Sequence, residues 1–152
     1  MDVVLSPLSG AVVPLDEVPD EVFAQRILGE GLAVRPSAGE VVSPADGRIA
    51  KLFAGGHALV VETAAGVQVL VHLGIDTVRL HGRGFTVCAA EGQVVRAGDP
   101  LVHVDVDTLG AEGIELVSPV VLISGHAAAP LAAGLVRAGE PLLAVRPPAE
   151  RG

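Results

Sequence analysis

Glycine and proline punctuate this chain so densely that no long helix fits between them: nineteen glycines and eleven prolines are spread along 152 residues. Each interior proline removes a backbone donor, and each glycine adds to the entropic cost of a helix. What survives between the breaks is short and β-prone. ALVVE (58–62), VQVLVH (67–72), PLVHVDV (100–106), LVSPVVLI (116–123) and PLLAV (141–145) are rich in Val, Ile and Leu and bounded by turn residues, the pattern of strands. One segment reads as helical, PDEVFAQRIL (19–28), with Pro19 and Asp20 placed to open it and Gly29 to close it after one or two turns. The expected fold is therefore all-β: an antiparallel sandwich or flattened barrel with one or two very short helices.

Hydrophobic residues make up 50% of the chain, enough for a single domain over 1–152 with its core at about 3–147. Two internal echoes support related β-units packed together. VRAGDPLVHV (95–104) returns as VRAGEPLLAV (136–145), and SPLSGAVV (6–13) as SPADGRIA (43–50). No apolar run is long enough to span a membrane, and MDVVLSPLSG lacks the basic and apolar regions of a signal peptide, so the expected location is the cytoplasm. The single cysteine, Cys88, excludes an internal disulfide and reads as a small buried hydrophobe.

Net charge is −8 at pH 7, only one of the ten basic residues is Lys, and there is no Trp or Tyr. Nucleic-acid binding needs basic patches and stacking rings, so that class is disfavoured. An acidic surface instead suits a cationic protein partner.

The segment GGHALVVETAAGVQVLVHLGID (55–76) poses the chemical question, because an apolar hairpin carries His57 near one end and His72 near the other. If 57–62 and 67–72 pair about the link TAAG (63–66), the two histidines face each other, with Cβ atoms about 4.5–5.5 Å apart. A two-residue shift, with the turn at Ala65-Gly66, makes them diagonal neighbours on one face. A shift of one places them on opposite faces. An opposed pair has three readings: two accidental surface histidines, a metal pair completed by Asp76, or a nucleophile with a helper. In the last, a neutral imidazole attacks phosphorus while its neighbour's N–H stabilises charge on the transferring group.

The chain resembles the glucose-type enzyme IIA family of the bacterial phosphoenolpyruvate-dependent sugar phosphotransferase system. The phrases that carry the resemblance are PLSGAVVPLDEVPDEVFAQRILGEGLAVRP, SPADGRIAKLF, GGHAL, VHLGIDTV, LHGRGF and EGQVVRAGDPL, and VSPVVLIS and VRAGEPLL extend it toward the C-terminus. It implies an antiparallel β-sandwich acting as a phosphotransferase component through a phosphohistidine, with no cofactor and no metal. By motif match, His72 accepts the phosphoryl group from the phosphocarrier HPr and passes it to a cysteine on the IIB domain of a sugar permease. His57 is its helper. A backbone carbonyl near Gly74 holds the other ring nitrogen of His72. The sugar is selected by the permease, not by this domain.

The resemblance also assigns a docking face: Asp20, Val22, Phe23 and Ile27 on the short helix, with Phe53, Leu70, Asp76 and Val78 around the histidines. Phe23 and Ile27 are expected to be exposed there, and Asp20 and Asp76 to suit an HPr arginine. A domain whose charge changes on phosphorylation also suits regulatory protein partners. Two departures stand out. Many members carry Thr two residues before the first histidine, where this chain has Gly55. The basic amphipathic N-terminal tail of some relatives is absent, so no direct membrane anchoring is implied.

Two rival classes fit less well. A biotinyl or lipoyl carrier needs a lysine at an exposed turn, and the only lysine is Lys51, in RIAKLF with no Met beside it. A zinc hydrolase would use His57, His72 and Asp76, but no H-x-H or H-E-x-x-H pattern is present.

Overall fold

The computed structural model describes residues 2–148. Its strands are β1 (Val3–Leu5), β2 (Gly10–Val13), β3 (Glu30–Pro36), β4 (Glu40–Val42), β5 (Gly47–Leu52), β6 (Ala58–Glu62), β7 (Gln68–His72), β8 (Phe85–Val87), β9 (Val94–Val95), β10 (Pro100–Val104), β11 (Ser118–Leu122), β12 (Ala127–Pro130), β13 (Leu135–Val136) and β14 (Pro141–Arg146). Two short α-helices, α1 (Glu21–Ala24) and α2 (Val106–Ala111), and 3-10 turns at Leu15–Glu17 and Thr77–Leu80 complete the described elements. Strand order is β13-β2-β3-β11-β7-β6-β5-β9 in the large sheet, and β1-β14-β12 and β4-β10-β8 in two small ones. Neighbouring strands are antiparallel. The large sheet is open at β13 and β9, so the fold is a sandwich and not a closed barrel.

The central strands are apolar throughout because both their faces are covered. Leu59, Val61, Val69, Val71, Val120 and Leu122 point inward and meet Val4, Val41, Leu101, Leu142 and Leu143 from the small sheets. The alternate residues Ala33, Ala58, Val60, Leu70 and Val121 point outward and are roofed by Leu15, Val18 and Phe23. The segment 15–24 thus seals the outer face, and His72, two residues after Leu70, emerges on that same face at the end of β7.

The sequence echoes are structural equivalents. In VRAGDPLVHV and VRAGEPLLAV, an edge strand of the large sheet (β9 or β13) turns into the middle strand of a small sheet (β10 or β14). Both turns close alike: Asp99 N–H donates to Arg96 O and Glu140 N–H to Arg137 O, while the Asp99 and Glu140 carboxylates accept from the Arg96 and Arg137 N–H groups. Ser6 and Ser43, each buried, donate to the carbonyls of Leu8 and Ala45, two residues on.

Three expectations are revised. The helix expected over 19–28 spans only Glu21–Ala24, because Arg26 enters the left-handed region at φ 56 and the Ile27 and Arg26 N–H groups close back on Val22 O and Phe23 O. The run PLVHVDV stops as a strand at Val104, where Asp105 caps α2 by accepting from Thr108 N–H at 3.2 Å. Cys88 is exposed, not buried.

Candidate functional site

The β6–β7 hairpin pairs Ala58 with His72 and Glu62 with Gln68, one residue away from the register in which the histidines face each other. The cause is the turn. Thr63 N–H donates to Val67 O, leaving a three-residue loop at 64–66 that closes with Gly66 N–H on Thr63 O; a four-residue link had been expected. Three-residue loops of this kind are a standard hairpin solution, and their odd length moves the register by one. By alternation alone His57 would then point inward. It does not, because it lies just outside β6 on the chain leaving Gly55-Gly56, and the two imidazoles meet edge to face with centroids 5.5 Å apart.

His72 Nδ1 lies 2.7 Å from the Gly74 carbonyl oxygen. A carbonyl only accepts, so in the neutral ring Nδ1 carries the hydrogen and Nε2 keeps its lone pair. Gly74 adopts φ 81, and a Cβ there would come within 2.7 Å of Thr77 Cγ2 and 2.8 Å of Glu115 O, so this turn admits only glycine. His57 is buried, and the Ala54 backbone beside its ring favours the protonated form. Gly55 has φ 90, and a Cβ on it would lie 2.9 Å from Gly82 N. Backbone thus fills the space beside Gly55, the position where the resemblance leads one to expect threonine.

The histidines sit within a row of rings. Phe23 packs on His72 at 5.3 Å between centroids, Phe53 on His57 at 5.9 Å, and the Lys51 ammonium lies 5.7 Å from the Phe53 ring centroid. Lys51 thus borders the site through Phe53, a placement with no signal in the local sequence RIAKLF. The expected docking residues divide in two. Val22, Ile27, Phe53 and Val78 are exposed, with Ile27 and Val78 at 65% and 59%. Phe23 and Leu70 are not: at 5% and 6% exposure they belong to the outer-face core. The roofing segment needs a large apolar anchor against Ala58, Val60 and Val121, and Phe23 supplies it. Phe23→Ala is accordingly expected to lower stability by about 3 kcal/mol, seen as a reduced urea midpoint, and not to leave the fold untouched.

Asp20 caps α1, its Oδ1 accepting from Val22 N–H at 2.9 Å, and Asp76 sits in the left-handed region at φ 58. Burial is the main cause lowering the pKa of His72; the Gly74 hydrogen bond opposes it, His57 adds to it, and Asp20 and Asp76 oppose it weakly. Burial also lowers His57, against its bond to Ala54. Both imidazoles are therefore held neutral in the folded protein. The unfolded chain binds the protons that the folded one refuses, so these residues contribute stability that is fully present above about pH 6.5 and lost as pH falls through the depressed values. Urea midpoints are expected to rise between about pH 5.5 and about pH 7.5, and less so when both histidines are replaced by Gln.

Among the described residues no three His, Cys, Asp or Glu side chains are grouped to hold a metal ion. Of the other histidines, His126 Nδ1 is hydrogen-bonded with Ser124 Oγ at 2.7 Å, and His81 marks the end of the 77–80 turn. Sequence reading also missed Thr77 and Ser118, each 1% exposed, whose hydroxyls hold the loop after His72.

Residues 2–127 match the family described as phosphoenolpyruvate-dependent sugar phosphotransferase system, EIIA 1. The chain is 42% identical over 119 residues to the PTS system glucose-specific EIIA component of Oceanobacillus iheyensis, covering 78% of this chain and 72% of that protein. It is 49% identical over 117 residues to the PTS system N-acetylglucosamine-specific EIICBA component of Escherichia coli, covering 77% of this chain but only 18% of that longer protein. Glucose permease IIA from Mycoplasma capricolum superposes with a TM-score of 0.88 at 35% identity, covering 93% of this chain and 94% of that one.

Proposed function

The chain belongs to the EIIA 1 family of the phosphoenolpyruvate-dependent sugar phosphotransferase system, and on that premise we propose that His72 Nε2 is the atom that carries the phosphoryl group. The observation that carries this reading is the 2.7 Å bond from His72 Nδ1 to Gly74 O, which leaves Nε2 as the nucleophile of a neutral ring. Its lone pair attacks phosphorus of phospho-HPr. The donor's N–P bond breaks, and that electron pair returns to the donor imidazole. The Gly74 carbonyl then faces the N–H of a phosphorylated, positively charged ring, where its partial negative charge is most favourable. A IIB cysteine thiolate reverses the chemistry, forming S–P while the N–P pair returns to Nε2.

His57 is the helper. The neutral ring carries one N–H, and a second becomes available on protonation, which a phosphoryl dianion beside it favours. Exposed Ile27 and Val78, with Val22 and Phe53, form the apolar docking rim; Phe23 and Leu70 support it from beneath. Asp20 and Asp76 supply the carboxylates for a cationic partner. Ile27→Ala and Val78→Ala should each weaken HPr binding by more than about 1 kcal/mol without shifting the urea midpoint, measured by chemical-shift titration. No described helix is long and apolar enough to cross a membrane, and the proposed setting is the cytoplasm, where HPr, a IIB domain and regulatory proteins meet the same face.

The test is to incubate the purified chain with phosphoenolpyruvate, enzyme I and HPr and measure intact mass. One added phosphoryl group, lost in acid, is expected. An unchanged mass with active enzyme I and HPr would remove the reading.

A further inference from the structure

Of the five buried polar residues described, Ser6 and Ser43 bond the carbonyls of Leu8 and Ala45 in the echoed segments SPLSG and SPADG, while His57, Thr77 and Ser118 lie around His72 and the loop that follows it. Two consecutive peptide planes of the loop after His72 are held there from both sides. The Leu73–Gly74 plane has its carbonyl bonded by Thr77 Oγ1–H at 2.7 Å, and its N–H donates to Ser118 Oγ at 3.2 Å. The Gly74–Ile75 plane presents its carbonyl to His72 Nδ1 at 2.7 Å, and its N–H donates to Glu115 O at 2.9 Å. Ser118 is itself fixed, its hydroxyl hydrogen committed to Leu116 O at 2.8 Å, so that its oxygen is free to accept.

A peptide plane is rigid, so fixing its N–H fixes its carbonyl. Glycine at φ 81 has no Cβ to resist rotation of the planes on either side of it. The Ile75–Glu115 bond and the buried Ile75 side chain hold the far side of Gly74; without the two hydroxyls the near side, the Leu73–Gly74 plane, would lose both of its bonds and the carbonyl its second point of support.

We propose that Thr77 and Ser118 are positioning residues for the phosphoryl-carrying histidine: they lock the Leu73–Gly74 peptide, keep the Gly74 carbonyl under His72 Nδ1, and so hold the ring in the tautomer with a free Nε2. The proposal rests on the role of His72 given above, but it concerns a property of the ring that is measurable without phosphorylation.

The experiment uses the full chain with 15N-labelled imidazoles and reads the nitrogen shifts of His72 by long-range proton–nitrogen correlation, alongside the rate of labelling by phospho-HPr. In the wild type, His72 should show one neutral tautomer with the hydrogen on Nδ1. Thr77→Val, nearly isosteric, and Ser118→Ala, each checked for an unchanged fold by its amide spectrum, should each shift the ring toward the Nε2–H tautomer and slow labelling on the order of tenfold. The hydroxyl-retaining Thr77→Ser should keep both at the wild-type level. A pure Nδ1–H tautomer with wild-type labelling in Thr77→Val and Ser118→Ala would overturn the proposal. If His72 proves not to be the phosphorylated residue, the nitrogen shifts still decide whether the hydroxyls set its tautomer.

Discussion

Replacing His72 by Gln is expected to abolish phosphoryl labelling in the presence of phosphoenolpyruvate, enzyme I and HPr. The loss should be complete, because the amide offers no nitrogen lone pair of comparable nucleophilicity at the position of Nε2. The fold should persist: His72 closes β7 in a partly exposed position, and the outer-face core is built from its neighbours. A variant that still takes up one acid-labile phosphoryl group would move the acceptor elsewhere, with His57, 5.5 Å away between ring centroids, the first place to look.

His57→Gln should separate the two half-reactions. The variant is expected to accept from phospho-HPr, since the attacking atom and its tautomer depend on His72, Gly74 and the loop that holds them. Onward transfer to a IIB cysteine is expected to slow about a hundredfold, equivalent to losing a preorganised donor worth on the order of 3 kcal/mol. Glutamine keeps a donor but neither the imidazole's placement nor its capacity to become cationic beside a phosphoryl dianion. Rapid-quench measurement of both steps decides the matter, and wild-type rates in each would reduce His57 to a packing residue.

The strands were legible because their cause is local. Glycine and proline breaks isolate runs of β-branched residues, and ALVVE and PLLAV fall on β6 and β14. The echoes VRAGDPL and VRAGEPL were legible as related units because one turn chemistry, an acidic side chain capping an Arg N–H, serves both edges of the large sheet. The hairpin register was not, because it depends on whether Thr63 joins the ladder, and one residue reverses the expected faces. The imidazoles nevertheless meet at the strand end, where His57 follows Gly55 and Gly56, at φ 90 and 84, although its carbonyl still accepts from Leu73 N–H. Phe23 looked exposed because a four-residue helix seems to need no buried face of its own. The need belongs to the outer face of the large sheet, which the local sequence does not announce. Ser118 was invisible for a similar reason: it is 44 residues from Gly74 and brought to it by the pairing of β11 with β7.

The site of the phosphoryl group on the ring tests this chemistry most directly. Nitrogen–phosphorus coupling in the 15N-labelled, phosphorylated chain identifies which nitrogen of which histidine carries phosphorus. Transfer through the free Nε2 of His72 predicts coupling to that nitrogen, with a hydrogen retained on Nδ1 facing Gly74. Coupling to Nδ1, or to either nitrogen of His57, would contradict it.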